Sequence, residues 1–149
     1  MTFPNLMGLR SMGDRPGKQG NLASTRGEGE APWREALMES TGTIHEAIGN
    51  LQKTGLQICL LVTSGGELVG TVTDGDVRRG ILNGLDLTSP VEGIMRKEPL
   101  VVPIGLSEEA ALQVMKVNMI GALPVVDADR WVVGLYLLNE LLAPDRHGN

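Results

Sequence analysis

The sequence predicts an α+β fold of two tandem helix–strand–strand–helix repeats, and three observations carry that expectation. Sliding the chain by 64 residues lays one half on the other without a gap. Ala47 falls on Ala111, Ile48 on Leu112, Leu51 on Met115, and Leu61-Val62 on Val125-Val126. Leu68-Val69-Gly70 falls on Val132-Val133-Gly134, and Val77 on Leu141. Short apolar runs of strand length lie between segments with helical spacing. Hydrophobic residues make up 42% of the 149 and aromatic ones only 3%, so the core is aliphatic. Each copy is too small to bury a good core alone, so the two should fold against one another.

Residues 1–31 hold six glycines (Gly8 to Gly29), Pro4 and Pro16, and show no apolar period. They read as a disordered leader that buries little surface. Order is expected from Pro32, with Trp33, Ala36 and Leu37 in a short helical turn. The first repeat with its linker spans 32–98, the second 99–143, and 144–149 is a tail. Thr43 with Glu46 three residues on predicts an N-cap, Ile44, Ala47, Ile48 and Leu51 a helical face, and Gly55 its stop. Ile58–Val62 is a buried strand, Ser64-Gly65-Gly66 a hairpin turn, Glu67–Val72 the second strand, and Asp76–Leu82 a helix closing at Asn83-Gly84. Asp86–Glu98 reads as a linker, and Leu100–Val102 as a strand leading into the second copy. That copy has a helix from Ser107 to Asn118 and strands at Leu123–Val126 and Trp131–Tyr136 around the turn Asp127–Arg130.

Chemistry concentrates between Gly70 and Gly80. Thr73, Asp74 and Asp76 stand where a strand becomes a helix, and a helix N-terminus receives phosphate through its unpaired N–H groups. A carboxylate there can accept both hydroxyls of a ribose. The same Thr73-x-x-Asp76 spacing is also a capping-box variant, in which the side chains satisfy only the helix itself. Arg78 and Arg79, one turn on, suit either a ligand phosphate, a partner's acidic surface or a solvated helix face.

Two tandem copies, with Gly70-Thr71-Val72-Thr73-Asp74-Gly75-Asp76 ending the second strand of the first, resemble a pair of CBS domains, a Bateman module, over residues 33–142. The resemblance implies two repeats related by a pseudo-two-fold axis, and regulatory ligand binding rather than catalysis. It implies Thr73 at the phosphate and Asp76 at the ribose of an adenine nucleotide (AMP, ADP or ATP type). The base would rest against Gln57, Ile58, Leu60 and Ile44. In the second copy Leu137 replaces Thr73 and Glu140 replaces Asp76, so binding is expected on one side only. The wording Thr73–Arg79 followed by Gly80-Ile81-Leu82-Asn83-Gly84 is similar to the CBS pair placed before a sugar-phosphate nucleotidyltransferase domain. A near relative in wording is the pair attached to arabinose-5-phosphate-type isomerases. A ligand-free docking module is the competing reading. The resemblance also implies a homodimer through helices exposing Val77, Ile81, Val114 and Val117.

Composition limits other classes. Net charge is −5 with no basic cluster beyond a pair, which argues against a nucleic-acid surface. No apolar stretch approaches the roughly 20 residues of a membrane span, and no secretion signal is evident, so a cytoplasmic protein is expected. Cys59, the one cysteine, reads as a buried small hydrophobe. Asp74 and Asp76 lack the further oxygen ligands of a magnesium site. His45, beside Glu46, reads as a surface residue, and no zinc spacing or nucleophile pattern occurs.

Overall fold

Thr43 and Ser107, 64 positions apart, start the two longest helices of the computed structural model, which describes residues 31–143. Helix α1 (Ile44–Thr54) opens with a full capping box: Glu46 N donates to Thr43 Oγ1 at 3.2 Å, and Thr43 N donates to Glu46 Oε1 at 3.0 Å. It ends at Gly55 in the left-handed conformation, φ 67°. Ser107 Oγ accepts from Ala110 N at 3.0 Å to open α3 (Glu108–Asn118), which ends at Met119, also left-handed at φ 58°. The shorter helices α2 (Asp74–Leu82) and α4 (Leu138–Leu142) follow the second strand of each repeat.

Strands β1 (Leu37–Glu39), β2 (Cys59–Val62), β3 (Leu68–Val72) and β4 (Arg96–Lys97) form one sheet in that order. The second sheet is β5 (Val102–Pro103), β6 (Ala122–Val126) and β7 (Val132–Leu137). The duplication reaches the register. Met38 lies opposite Leu61 in the parallel β1–β2 pair, and Val102 opposite Val125 in β5–β6. Both antiparallel hairpins slip at the same place, between Leu61 and Val62 and between Val125 and Val126. Their turns use different side chains for one job. Thr63 Oγ1 accepts from Gly65 N and Glu67 N, both at 3.2 Å, while Asp127 Oδ1 accepts from Asp129 N at 2.9 Å and Trp131 N at 3.0 Å. The two turns meet at an isolated antiparallel bridge between Glu67 and Trp131. Those residues are themselves repeat equivalents (131 minus 67 is 64), so the pseudo-two-fold axis passes through that bridge.

Because side chains alternate along a strand, each sheet has two apolar faces. Cys59 and Leu61 pack with Ile44, Ala47, Leu51 and Val72 beneath the first repeat's helices. Leu123, Val125, Val133 and Tyr136 pack with Ala111 and Met115 beneath those of the second. The opposite faces meet between the sheets, where Ile58, Leu60, Val62 and Leu68 join Val126, Val132, Leu135 and Leu137.

Several boundaries differ from expectation. Helix α2 begins at Asp74 rather than Asp76, because Thr73 is its N-cap. Strand β7 is displaced by one residue from Trp131–Tyr136, since Trp131 is spent on the bridge. The linker is partly structured: a 3-10 turn at Val91–Gly93 leads to β4, which pairs Lys97 with Gly70 and Arg96 with Thr71. A Cβ on Gly70 would come within 3.1 Å of Arg96 O, so that close approach requires glycine. Strand β1 was not expected at all. Trp33 does lie in a short turn, Pro32–Ala36, and is buried. Ala31, assigned to the leader, is buried with it; the rest of that leader and the 144–149 tail lie outside the described residues. Val77 and Val114 are half-buried rather than exposed.

Met119 is 87% exposed and holds a backbone conformation that glycine adopts more cheaply. Left-handed geometry costs a side-chain-bearing residue about 1–2 kcal/mol, offset in part by glycine's greater unfolded entropy. Met119→Gly should therefore stabilise the protein by about 0.5–1 kcal/mol in a denaturant titration. Gly55→Met should do the reverse.

Candidate ligand-binding site

The N-terminus of α2 is built by its own cap. Thr73 N donates to Asp76 Oδ2 at 2.9 Å, Thr73 Oγ1 donates to the same oxygen at 3.1 Å, and Asp76 N donates to Thr73 Oγ1 at 3.4 Å. Arg79, one turn further, forms an ion pair with Asp76 Oδ1. Asp76 is 7% exposed, whereas the Arg79 side chain is 63% exposed, so the pair sits at the rim of the site. A carboxylate offers about four lone-pair positions. Three are taken here, which leaves room for one more donor unless Arg79 or Thr73 yields. The N–H groups of Asp74 and Gly75 lie in the first turn, where no intrahelical acceptor exists. The spacing thus produces the capping box, and the candidate site would draw on the same atoms.

The other expected site residues divide. Ile58 and Leu60 are buried in the cluster between the sheets, on the β2 face that Thr71 and Thr73 share across β3. Ile44, the first residue of α1, is buried on the opposite side of the sheet. Gln57 is exposed and left-handed at φ 72°, a conformation that a side-chain-bearing residue holds at a cost. Asp74 and Arg78 are exposed on α2, and of the two arginines it is Arg79 that pairs with Asp76. The Asp76–Arg79 spacing of three residues was the available signal for that pair. The second repeat lacks the arrangement. Leu137, 9% exposed, stands at the N-cap of α4 with no side-chain cap, and α4 has five residues.

Groups with displaced pKa values lie apart from this helix start. Hydrogen bonds from the Thr88 hydroxyl and N–H hold Asp86 below the usual carboxylate range. Burial, then the nearby Glu108 charge, raises Tyr136, whose hydroxyl donates to Leu106 O at 2.9 Å. Among the described residues no group of His, Cys, Asp and Glu could hold a metal ion, and no helix is long and apolar enough to cross a membrane.

The duplicated sheets, their outer helices and the capped helix start define a tandem CBS module. The CBS domain family model matches residues 38–83 and 91–143, and the chain belongs to that family. The arabinose 5-phosphate isomerase KdsD of Pseudomonas aeruginosa is 34% identical over 97 residues, 64% of this chain and 30% of that protein. An inosine-5'-monophosphate dehydrogenase of Methanocaldococcus jannaschii is 29% identical over 100 residues, 67% of this chain and 19% of that protein. The chain spans about a third or less of the length of such curated relatives. Among solved structures, the CBS domain protein PAE2072 of Pyrobaculum aerophilum, complexed with AMP, superposes with a TM-score of 0.66 at 24% identity, covering 74% of this chain and 85% of that one. The CBS domain pair of protein MJ0100, in complex with 5'-methylthioadenosine and S-adenosylmethionine, gives 0.63 at 25% identity, covering 69% and 81%.

Cys59 lies between Ile58 and Leu60, fully buried, its Sγ 3.5 Å from Met38 Sδ. Burial pushes its thiol up to about 12. An unfolded thiol ionises near about 8.5, so above that pH the unfolded state binds fewer protons and stability falls as pH rises. The native protein should resist a thiol-specific chromogenic reagent at pH 8 and react at once in denaturant. Equal rates in both would show that β2 is open.

Proposed function

We propose that this module is a regulatory sensor of an adenine-type nucleotide, bound on one side at the N-terminus of α2. The observation that carries the reading is the contrast between repeats: Thr73 and Asp76 around a nine-residue helix against Leu137 and Glu140 around a five-residue one. Thr73 and the first-turn N–H groups face the phosphate, and Asp76 accepts from the ribose with Arg79 swinging to the phosphate. Asp74 limits how much negative charge the site tolerates, and Arg78 lies beside it on α2. The base lies toward Gln57, Ile58 and Leu60. Two features support that placement: the strained backbone of Gln57, and the buried Trp33 Nε1, which has no hydrogen-bond partner among the described residues and belongs to the same apolar cluster as Ile58 and Leu60. The AMP and S-adenosylmethionine complexes of its structural neighbours support an adenine ligand. The chain itself carries no catalysis in this reading and works in the cytoplasm.

The module would set the activity of a sugar-phosphate enzyme. The nucleotidyltransferase wording around Thr73–Gly84 pointed to one kind, and the 34% identity to the isomerase KdsD favours the other. The attached domain is therefore read as a sugar-phosphate isomerase in preference to a nucleotidyltransferase. A ligand-free docking module is the reading that remains if no nucleotide binds.

The exposed apolar helix ends support self-association. Ile81 and Leu82 on α2 and Val117 and Met119 at the end of α3 are 42%, 77%, 70% and 87% exposed. A homodimer through these faces should bury at least about 1,000 Å². Light scattering at micromolar concentration should give twice the chain mass, and Val117→Lys with Leu82→Lys should return it to one. A monomeric parent chain would remove the dimer from this reading.

Calorimetric titration with AMP tests the site directly, and one nucleotide per chain is the expected stoichiometry. Charge-assisted hydrogen bonds are worth about 1.5–3 kcal/mol when lost, so Asp76→Ala should weaken AMP by roughly ten- to a hundredfold. Glu140→Ala should change affinity less than threefold. Both variants should stay folded, because a lost cap costs only about 0.5–2 kcal/mol. Two equal sites per chain, or an Asp76→Ala protein that binds as tightly as the parent, would refute the one-sided site.

A further inference from the structure

A second concavity lies on the other end of β3 from Thr73. Five residues separate Leu68 from Thr73, roughly 16 Å along a strand. The cleft, about 610 Å³ in volume, has an apolar floor of Leu68, Met95 and Pro99. Its rim carries two cations, Lys97 and Arg130, and two anions, Glu67 and Glu98. No ion pair joins any of these four charges among the described residues. The Arg130 side chain is steadied by Nε donating to Leu68 O at 3.4 Å. Two of the rim residues, Glu98 at φ 54° and Arg130 at φ 67°, hold left-handed backbone without being glycine. Strain of that kind gathers where a side chain is being aimed.

The internal duplication says what shape of occupant such a groove takes. Moving 64 positions turns Lys97 into Trp33, Glu67 into Trp131, Glu98 into Arg34 and Arg130 into Gly66. The equivalent groove is thus filled from within by indoles. The Trp131 ring lies over Gly66, where a Cβ would come within 3.1 Å of it, and the Arg34 guanidinium is 4.8 Å from the Trp33 ring centroid. On the open side the rings are missing and separate charges of both signs stand in their place.

We propose that this cleft binds a small zwitterion with a flat ring, an aromatic α-amino acid. The ring rests on Leu68, Met95 and Pro99. The carboxylate meets Arg130 and Lys97, and the ammonium meets Glu67 and Glu98. A ligand of one charge sign would leave one pair of rim charges facing like charge. The balanced rim selects against it. The site is independent of the nucleotide reading, since it uses neither Thr73 nor Asp76.

Titration of the isotope-labelled chain with L-tryptophan, followed by amide chemical shifts, tests this. Shifts should concentrate at Leu68, Val69, Glu98 and Arg130, with a Kd of about 1 mM or tighter. Indole-3-propionate, which lacks the ammonium, should bind at least fivefold more weakly. Arg130→Gly installs the residue that the first repeat uses at this turn, so the variant should fold at least as stably and bind tryptophan at least tenfold more weakly. Lys97→Trp should fill the cleft and abolish binding. Asp76→Ala should leave tryptophan binding unchanged, which separates this site from the nucleotide site. Absence of saturable shifts, shifts centred on Thr73 and Asp76, or an Arg130→Gly protein with parental affinity would overturn the proposal.

Discussion

The apolar contact between the two sheets is what the remaining structure depends on. Strand β2 has no polar face: Leu60 and Val62 look one way, Cys59 and Leu61 the other, and all four are buried. A single repeat covers one face with its helices and leaves the other in water. Burying a side chain such as Leu60 or Leu135 is worth roughly 1.5–3 kcal/mol, a large fraction of the net stability of a small domain. Neither repeat can keep its sheet without the other. This also explains why the second repeat can lose its helix cap: Leu137 belongs to the shared cluster, and the apolar contact holds the strand end that a hydrogen bond holds in the first.

The same economy shapes the helix start at Thr73. Its hydroxyl and the Asp76 carboxylate stabilise α2 whether or not anything is bound. A ligand there exchanges partners rather than filling an unsatisfied set. Arg79 is the partner most easily released, because its side chain is largely exposed and water can take over its N–H groups. Any occupancy of that helix start would then be reported by the position of one exposed guanidinium on α2.

Much of this was legible in the sequence because it rests on local chemistry. The cap at Thr43, the stop at Gly55 and the hairpin at Ser64–Gly66 each follow from a few adjacent residues. The ungapped repeat carried the rest of the architecture. What escaped was long-range. Strand β1 is three residues with no alternation of its own, and only pairing with β2 makes it a strand. A signal existed, since Leu100–Val102 carried back by 64 positions falls on Ala36–Met38. Strand β4 was hidden for the same reason, two exposed charged residues whose partner is the backbone beside Gly70. At the candidate site, the pairing of Thr73 with Asp76 follows from their spacing, whereas the separation of Ile44 from Leu60 by the thickness of a sheet depends on pleat and bulge.

The hairpin bridge on the pseudo-two-fold axis has a consequence for how such a chain can assemble. A contact between repeat equivalents is self-complementary in its backbone, so two copies of either half would have the hydrogen bonds to meet there. The side chains disfavour it. A Cβ beneath the Trp131 ring would crowd it at 3.1 Å, and Gly66 of the first half has none. Two second halves would set Arg130 in that place, against the indole. Two first halves would oppose Glu67 to Glu67 and leave the indole's space empty. The duplicated halves have thereby become lock and key to one another, and each discriminates against its own kind within the short tether that joins them.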